Sequence, residues 1–97
     1  MGVKFGREYN DILRELTEAV EGIADSYRFF EMEPEEWEAL GEAEKKEVME
    51  ALADDLFYSL GADPSAEVGS GKVCYDAKHH IIKVDAGDKL VRIVHLV

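Results

Sequence analysis

The side chains of this chain suited to chemistry are three histidines, one cysteine and a large surplus of carboxylates. His79, His80, His95 and Cys74 all fall in the last third. With antiparallel turns centred on Ala77-Lys78 and Ala86-Gly87, Tyr75 pairs with His80 and His80 with Ile93. His80 and His95 then share one strand face, while Cys74 and His79 point to the other. Two imidazoles without a third protein ligand make a poor zinc site, and a cysteine beside a turn histidine has no orienting acid or oxyanion donor. A single cysteine also excludes an intramolecular disulfide. Packing or a pH-sensitive contact is therefore the expectation for His80 and His95, and no catalytic, metal or cofactor-binding residue is assigned.

Two further patterns dissolve on inspection. Gly69-Ser70-Gly71-Lys72 lacks the first glycine of a phosphate loop, is followed by valine, and precedes strand-like sequence where a helix N-terminus is needed. It reads as a flexible entry to a sheet. Asp54 and Asp55 are adjacent on a helix and diverge by about 100°, so they do not converge on one substrate or metal.

The carboxylates are the stronger signal. Twenty-two Asp and Glu against eleven Lys and Arg leave a formal charge of -11, which repels nucleic acid and anionic lipid. Residues 1–62 hold 17 acidic and 6 basic side chains, whereas 63–97 hold five of each. The excess is therefore local. Glu8, Asp11, Glu15, Glu18, Glu21 and Asp25 share the polar side of one amphipathic segment; Glu44, Glu47, Glu50, Asp54 and Asp55 share that of a second. The plain reading is a solvated face, partly compensated by Arg7, Arg14 and Arg28. The sharper one is a pair of stripes that imitate nucleic-acid phosphates, since carboxylates rise by about 5 Å per helical turn, comparable with the charge spacing of a duplex strand. Like-charge neighbours such as Asp11/Glu15 and Glu18/Glu21 each cost a few tenths of a kcal/mol, which interspersed lysines would avoid.

The elements that must position these groups are read from apolar spacing. Tyr9, Ile12, Leu13, Leu16, Val20, Ile23, Tyr27 and Phe30 predict one amphipathic helix from Phe5 to Phe30, weakened only modestly by Gly22. Glu33-Pro34-Glu35-Glu36 restarts a short helix anchored by Trp37 and Leu40. Val48, Leu52, Leu56 and Leu60 predict a second long helix stopped by Gly61 and Asp63-Pro64. Residues 62–71 read as a linker, and 73–75, 79–84 and 89–97 as strands. The predicted register places Val73, Tyr75, Ile82, Val84, Val91, Ile93 and Val97 against the helices. Cys74, Ile81, Lys83, Leu90, Arg92, Val94 and Leu96 then form an outer face too apolar to be simply wet, and the last strand carries no proline or bulge signal to blunt its edge.

The fold class expected is α+β: two main amphipathic helices, with a short helical segment between, packed on one face of a C-terminal three-stranded antiparallel meander. Residues 1–97 form a single domain, with 1–61 helical, 62–71 a linker and 72–97 the meander. No apolar run is long enough to span a bilayer and no secretory signal pattern is present, so a cytoplasmic location is the default.

The function expected is a non-enzymatic, acidic interaction or regulatory module. It binds a basic protein surface through Glu8, Asp11, Glu15, Glu18, Glu47, Glu50 and Asp54, with Phe29 and Trp37 as an aromatic hot spot. It self-associates as a homodimer through the strand at 89–97 or the outer sheet face, using Leu90, Arg92, Val94 and Leu96. Direct nucleic-acid or membrane binding is not expected. The alternative is a nucleic-acid mimic that inhibits a DNA- or RNA-binding protein; the third reading, a small enzyme, lacks a nucleophile, metal set or cofactor loop.

Overall fold

The helical half is interrupted at Gly22. The computed structural model describes residues 5–86 and 89–97, and helix α1 in it runs Tyr9–Glu21, not to Phe30. At its end the Gly22 and Ile23 N–H groups donate to the Ala19 and Val20 carbonyls at 3.1 and 3.0 Å, the tightened bonding of a terminating helix. Ile23 still reaches the core, and a separate 3₁₀ turn, Ser26–Phe30, closes at Glu31 with φ 59°. The apolar periodicity thus crosses a break at Gly22, whose backbone keeps ordinary right-handed angles, φ -72° and ψ -12°.

Helix α2, Pro34–Glu38, begins with proline at its first position, and the Glu36 carboxylate accepts the Glu33 N–H at 3.1 Å. Helix α3, Glu42–Ala62, starts the same way, with Glu44 accepting the Gly41 N–H at 3.0 Å. Its buried face is Met49, Leu52, Ala53, Leu56, Phe57 and Leu60; of the predicted positions Leu52, Leu56 and Leu60 are in it and Val48 is half-buried beside it.

The sheet has four strands, in the order β1 (Ser65–Val68), β2 (Gly71–Asp76), β3 (Ile81–Ala86) and β4 (Lys89–His95), all antiparallel. The expected class is therefore α+β, with one strand more than the three predicted. The additional strand is β1, inside the segment read as a linker. It forms a hairpin with β2 in which Val68 pairs with Gly71 across Gly69-Ser70. Gly69 has φ +59° at the first central position, where type II′ turns place glycine. An added Cβ there would lie 2.3 Å from the Asp25 carbonyl oxygen. The Gly69-Ser70-Gly71 segment is thus a fixed turn, not a flexible entry.

Val73, Ile82 and Val84 are buried and Tyr75 packs beside them, so the inner face of β2 and β3 is as expected. Tyr75 pairs with Ile82, not His80, because four residues, 77–80, separate the paired Asp76 and Ile81. A shift of two positions leaves every side chain on its predicted face. His80 falls in that turn with φ 55°, so it does not share a strand face with His95.

β4 is different. Ala86 pairs with Lys89 and Asp85 with Leu90, but Val84 pairs with Arg92, which leaves Val91 as the extra residue of a β-bulge. Beyond that bulge every side chain changes face. Val94 and Leu96 are fully buried, while Ile93 and Val97 are 37% and 66% exposed, the reverse of the prediction. The side chains of Leu90 and Val91 lie outside the described residues.

One core results. Ile12, Leu16, Val20 and Ile23 meet the α3 face and the inner residues of the sheet. If β4 is turned as described, Leu96→Ala should cost about 2–5 kcal/mol, as for a buried leucine, and Ile93→Ala less than about 1 kcal/mol, as for a surface change. Urea denaturation decides it; a larger loss for Ile93 would restore the unbulged register.

Candidate functional site

The two carboxylate stripes have different fates in the folded chain. Of the six predicted members of the first stripe, which spans α1 and its two flanks, four are held by groups of the protein itself. Asp11 pairs with Arg14 at 3.5 Å, Glu15 with Arg7, and Glu18 with Arg92 at 3.2 Å. Asp25 accepts the Ser70 N–H at 3.0 Å and its hydroxyl at 2.9 Å, with Arg28 3.8 Å away. Glu8 precedes α1, where its carbonyl accepts the Asp11 and Ile12 N–H groups; Glu21 has no polar partner among the described residues.

Arg92 reaches α1 because the bulge puts it in phase with Val94 and Leu96 on the helix-covered side of β4. The sequence places it on a self-association surface; the structure gives it an ion pair within the chain. Val94 and Leu96, assigned to the same surface, are core residues. The end of the β4 edge is covered as well. The Gly6 and Arg7 N–H groups donate to the Leu96 carbonyl at 2.7 and 3.1 Å, and the Arg7 guanidinium to the His95 carbonyl at 3.0 Å. The bulge and this cover are the blunting devices that the sequence did not signal.

On α3 the stripe is more open. Asp54 is half-buried and accepts the Tyr9 hydroxyl, and Glu44 is spent on the Gly41 cap. Glu47, Glu50 and Asp55 are exposed and, like Glu42 in the first turn, make no ion pair or hydrogen bond among the described residues.

Between α1 and α3 runs a trough formed by two adjoining cavities. One, of about 450 Å³, is lined by Leu13 and Thr17 with Arg14, Glu18, Glu21, Lys46 and Glu50 around it. The other, of about 380 Å³, has Ile23, Ala24, Trp37 and Met49 on its walls and Glu42, Lys45 and Lys46 at its rim. Glu21 and Lys46 border both. Trp37 is half-buried, stacked on Tyr27 at 5.3 Å between ring centroids, with the Lys45 ammonium 5.5 Å from its ring. Of the predicted hot spot, Trp37 therefore borders the trough. Phe29 packs against the core, and its edge-to-face neighbour Phe30 is the more exposed of the two. Leu13 reads in the sequence as part of the apolar face of the first helix, and Lys46 is not singled out there. Their signal is their place on the flank of each helix, between the apolar face and the carboxylates.

The remaining reactive groups stay apart. Cys74 is half-buried on the outer face of β2, paired with Ser65 and Lys83. His79 Nδ1 lies 2.8 Å from Asp76 in the exposed turn, and His95 pairs with Ile81. Among the described residues, no three His, Cys, Asp or Glu side chains are placed to hold a metal ion, and no helix is long and apolar enough to cross a membrane.

Two electrostatic features are open to titration. Hydrogen bonds from the Ser70 backbone and hydroxyl outweigh partial burial and hold the Asp25 carboxyl below its ordinary value; Arg7 does the same for Glu15. A carboxyl with a lowered folded pKa contributes stability that is present above its unfolded value, near pH 4, and lost as pH falls through the lower folded value. The urea midpoint should therefore drop between about pH 5 and pH 3, and Asp25→Asn should be less stable at neutral pH and show a flatter profile. Burial, then the bond to Asp54, pushes the Tyr9 phenol up to about 12. Folding favours its neutral form, so this contribution is present below its ordinary value near 10 and lost as pH rises toward the folded one. An ultraviolet titration should show one tyrosine ionising near 12 that Tyr9→Phe removes.

No family model, curated protein or solved structure matches this chain.

Proposed function

We propose that this chain is a non-enzymatic interaction module that binds a basic protein partner through the solvent side of its helical half. The observation that carries the reading is the contrast between the two stripes. Arg7, Arg14 and Arg92 engage the carboxylates of α1, whereas Glu42, Glu47, Glu50 and Asp55 on α3, together with Glu21, are left without partners among the described residues. Like charges at helical spacing oppose each other by a few tenths of a kcal/mol per pair, and a basic partner relieves that cost where an internal arginine does not. The interacting surface is thus centred on α3 and its border with α1; Asp11, Glu15, Glu18 and Asp54 act within the fold.

The nucleic-acid-mimic alternative draws less support. It needs a continuous run of free negative charge, and three arginines interrupt the α1 stripe while Lys45 and Lys46 flank that of α3. Self-association remains part of the proposal in a changed form. Ile81, Ile93 and Cys74 now share the outer face with Lys72 and Lys83, and this near-neutral surface suits a second copy better than the acidic helices do. A cytoplasmic location goes with this reading.

The test is affinity capture at low and high salt with the wild-type chain, a Glu47→Gln/Asp55→Asn variant and Glu15→Gln as the internal control. Binding should be salt-sensitive and should fall several-fold in the α3 variant, as two surface charges are removed. Capture by Glu15→Gln should fall only as far as its stability does. Binding that is indifferent to both salt and the α3 charges overturns the proposal.

A further inference from the structure

Phe5, Tyr9 and Phe57 form one ring cluster where the start of α1 meets the last turns of α3, with centroids 5.9 Å apart for Phe5 and Tyr9, 5.5 Å for Phe5 and Phe57, and 5.1 Å for Tyr9 and Phe57. Phe57 is buried and Tyr9 half-buried, but Phe5 stays 45% exposed. Tyr58, which follows Phe57, is 79% exposed and makes no hydrogen bond or ring contact among the described residues. It lies near enough to add, after burial and Asp54, to the rise of the Tyr9 phenol. Val97 is exposed as well and borders Gly6, the neighbour of Phe5. Apolar side chains exposed singly carry no message, whereas these gather at one end of the molecule.

The charges around Tyr58 select what covers it. Asp54 and Asp55 precede it by four and three residues, so both are its neighbours one turn back on the surface of α3. Asp54 accepts from Tyr9, while Asp55 is exposed without an ion pair or hydrogen bond among the described residues. A ring face attracts a cation, and a carboxylate beside it pairs with one. A guanidinium meets both demands at once, since its plane lies flat on a ring while its edge donates two parallel hydrogen bonds; an ammonium is a hydrated point charge that does not stack. Resting on the reading of a basic partner, we propose that Tyr58, with Asp55 beside it, is the docking point for an arginine of that partner, the guanidinium stacked on the ring and its edge on the carboxylate. A second copy of this chain does not supply it, because Arg7, Arg14, Arg28 and Arg92, its four arginines, are each engaged by an internal carboxylate. An uncharged apolar segment would bring Asp55 to the interface without a cation.

The experiment titrates the full chain, followed by calorimetry, with a short peptide of arginines spaced by glycine and serine and with its lysine twin of equal length and charge. The arginine peptide should bind about two- to fivefold tighter, the range of an exposed cation–π contact. Tyr58→Ala should abolish that preference while both peptides keep their salt-sensitive binding, and Tyr58→Phe should retain it. Tyr58 lies outside the core, so these variants keep the fold. Glu47→Gln should weaken both peptides alike, since it removes charge without touching the ring. Equal affinities for the two peptides, or a preference that Tyr58→Ala leaves unchanged, overturns the arginine docking point and leaves the charge-based reading standing. A preference that Tyr58→Leu keeps as fully as Tyr58→Phe assigns the patch to apolar packing and overturns it too. Absence of binding by both peptides does the same, and the capture experiment then decides the wider reading alone.

Discussion

One extra residue in the last strand organises much of this molecule. The bulge at Val91 turns β4 so that Val94 and Leu96 enter the core and Arg92 faces α1. Two full aliphatic side chains are thereby removed from water, each worth about 1.5–3 kcal/mol of burial. The same turn allows the Arg92–Glu18 pair, while the Leu96 carbonyl accepts from Gly6 and Arg7, which sets the Arg7 guanidinium beside Glu15. The electrostatic quieting of α1 thus depends on the register of a strand far away in sequence. The bulge also breaks the regular outward ladder of β4, which serves the strand as an edge.

At the other end of the sheet, Asp25 does comparable work through hydrogen bonds. It follows the Gly22 break, so it lies outside α1 and is free to reach the β1–β2 turn. There it takes the Ser70 N–H and hydroxyl, while the Gly69 backbone comes too close to Asp25 for any side chain. A carboxylate that looks like one more member of an acidic stripe is in fact one of the contacts joining the helical half to the first hairpin. Its charge is compensated by directed donors, which accounts for its lowered pKa.

These two contacts divide the negative charge by role. On α1 it is mostly a set of internal fastenings, whereas on α3 it is mostly an open field. Charge without local partners is a statement about association more than about folding, since it raises the energy of the free chain and gains when a cation approaches. That is why the proposed recognition centres on the border of α1 and α3, and not on the whole acidic half.

Much of this was legible from residue spacing. The buried face of α3, the core residues of α1, the proline start of α2 and the inner face of β2 and β3 all follow from local periodicity, because in each one face is clearly more apolar than the other. The surplus of carboxylates on the helices was legible for the same reason. Three things were not. Gly22 reads as a mild helix defect until Ile23 and Asp25 have tertiary partners to reach. Ser65–Val68 is too short to announce itself as a strand before β2 pairs with it. In β4, the alternate sets Ile93 with Val97 and Val94 with Leu96 are about equally apolar, so alternation gives no preference between them. Only packing against α1 distinguishes the sets, and it does so through a single inserted residue. The sequence by itself therefore determined the fold class, most of the elements and their charge; the tertiary structure decided where the first helix breaks, that Ser65–Val68 is a strand, which face of β4 lies inward and which carboxylates lack partners among the described residues.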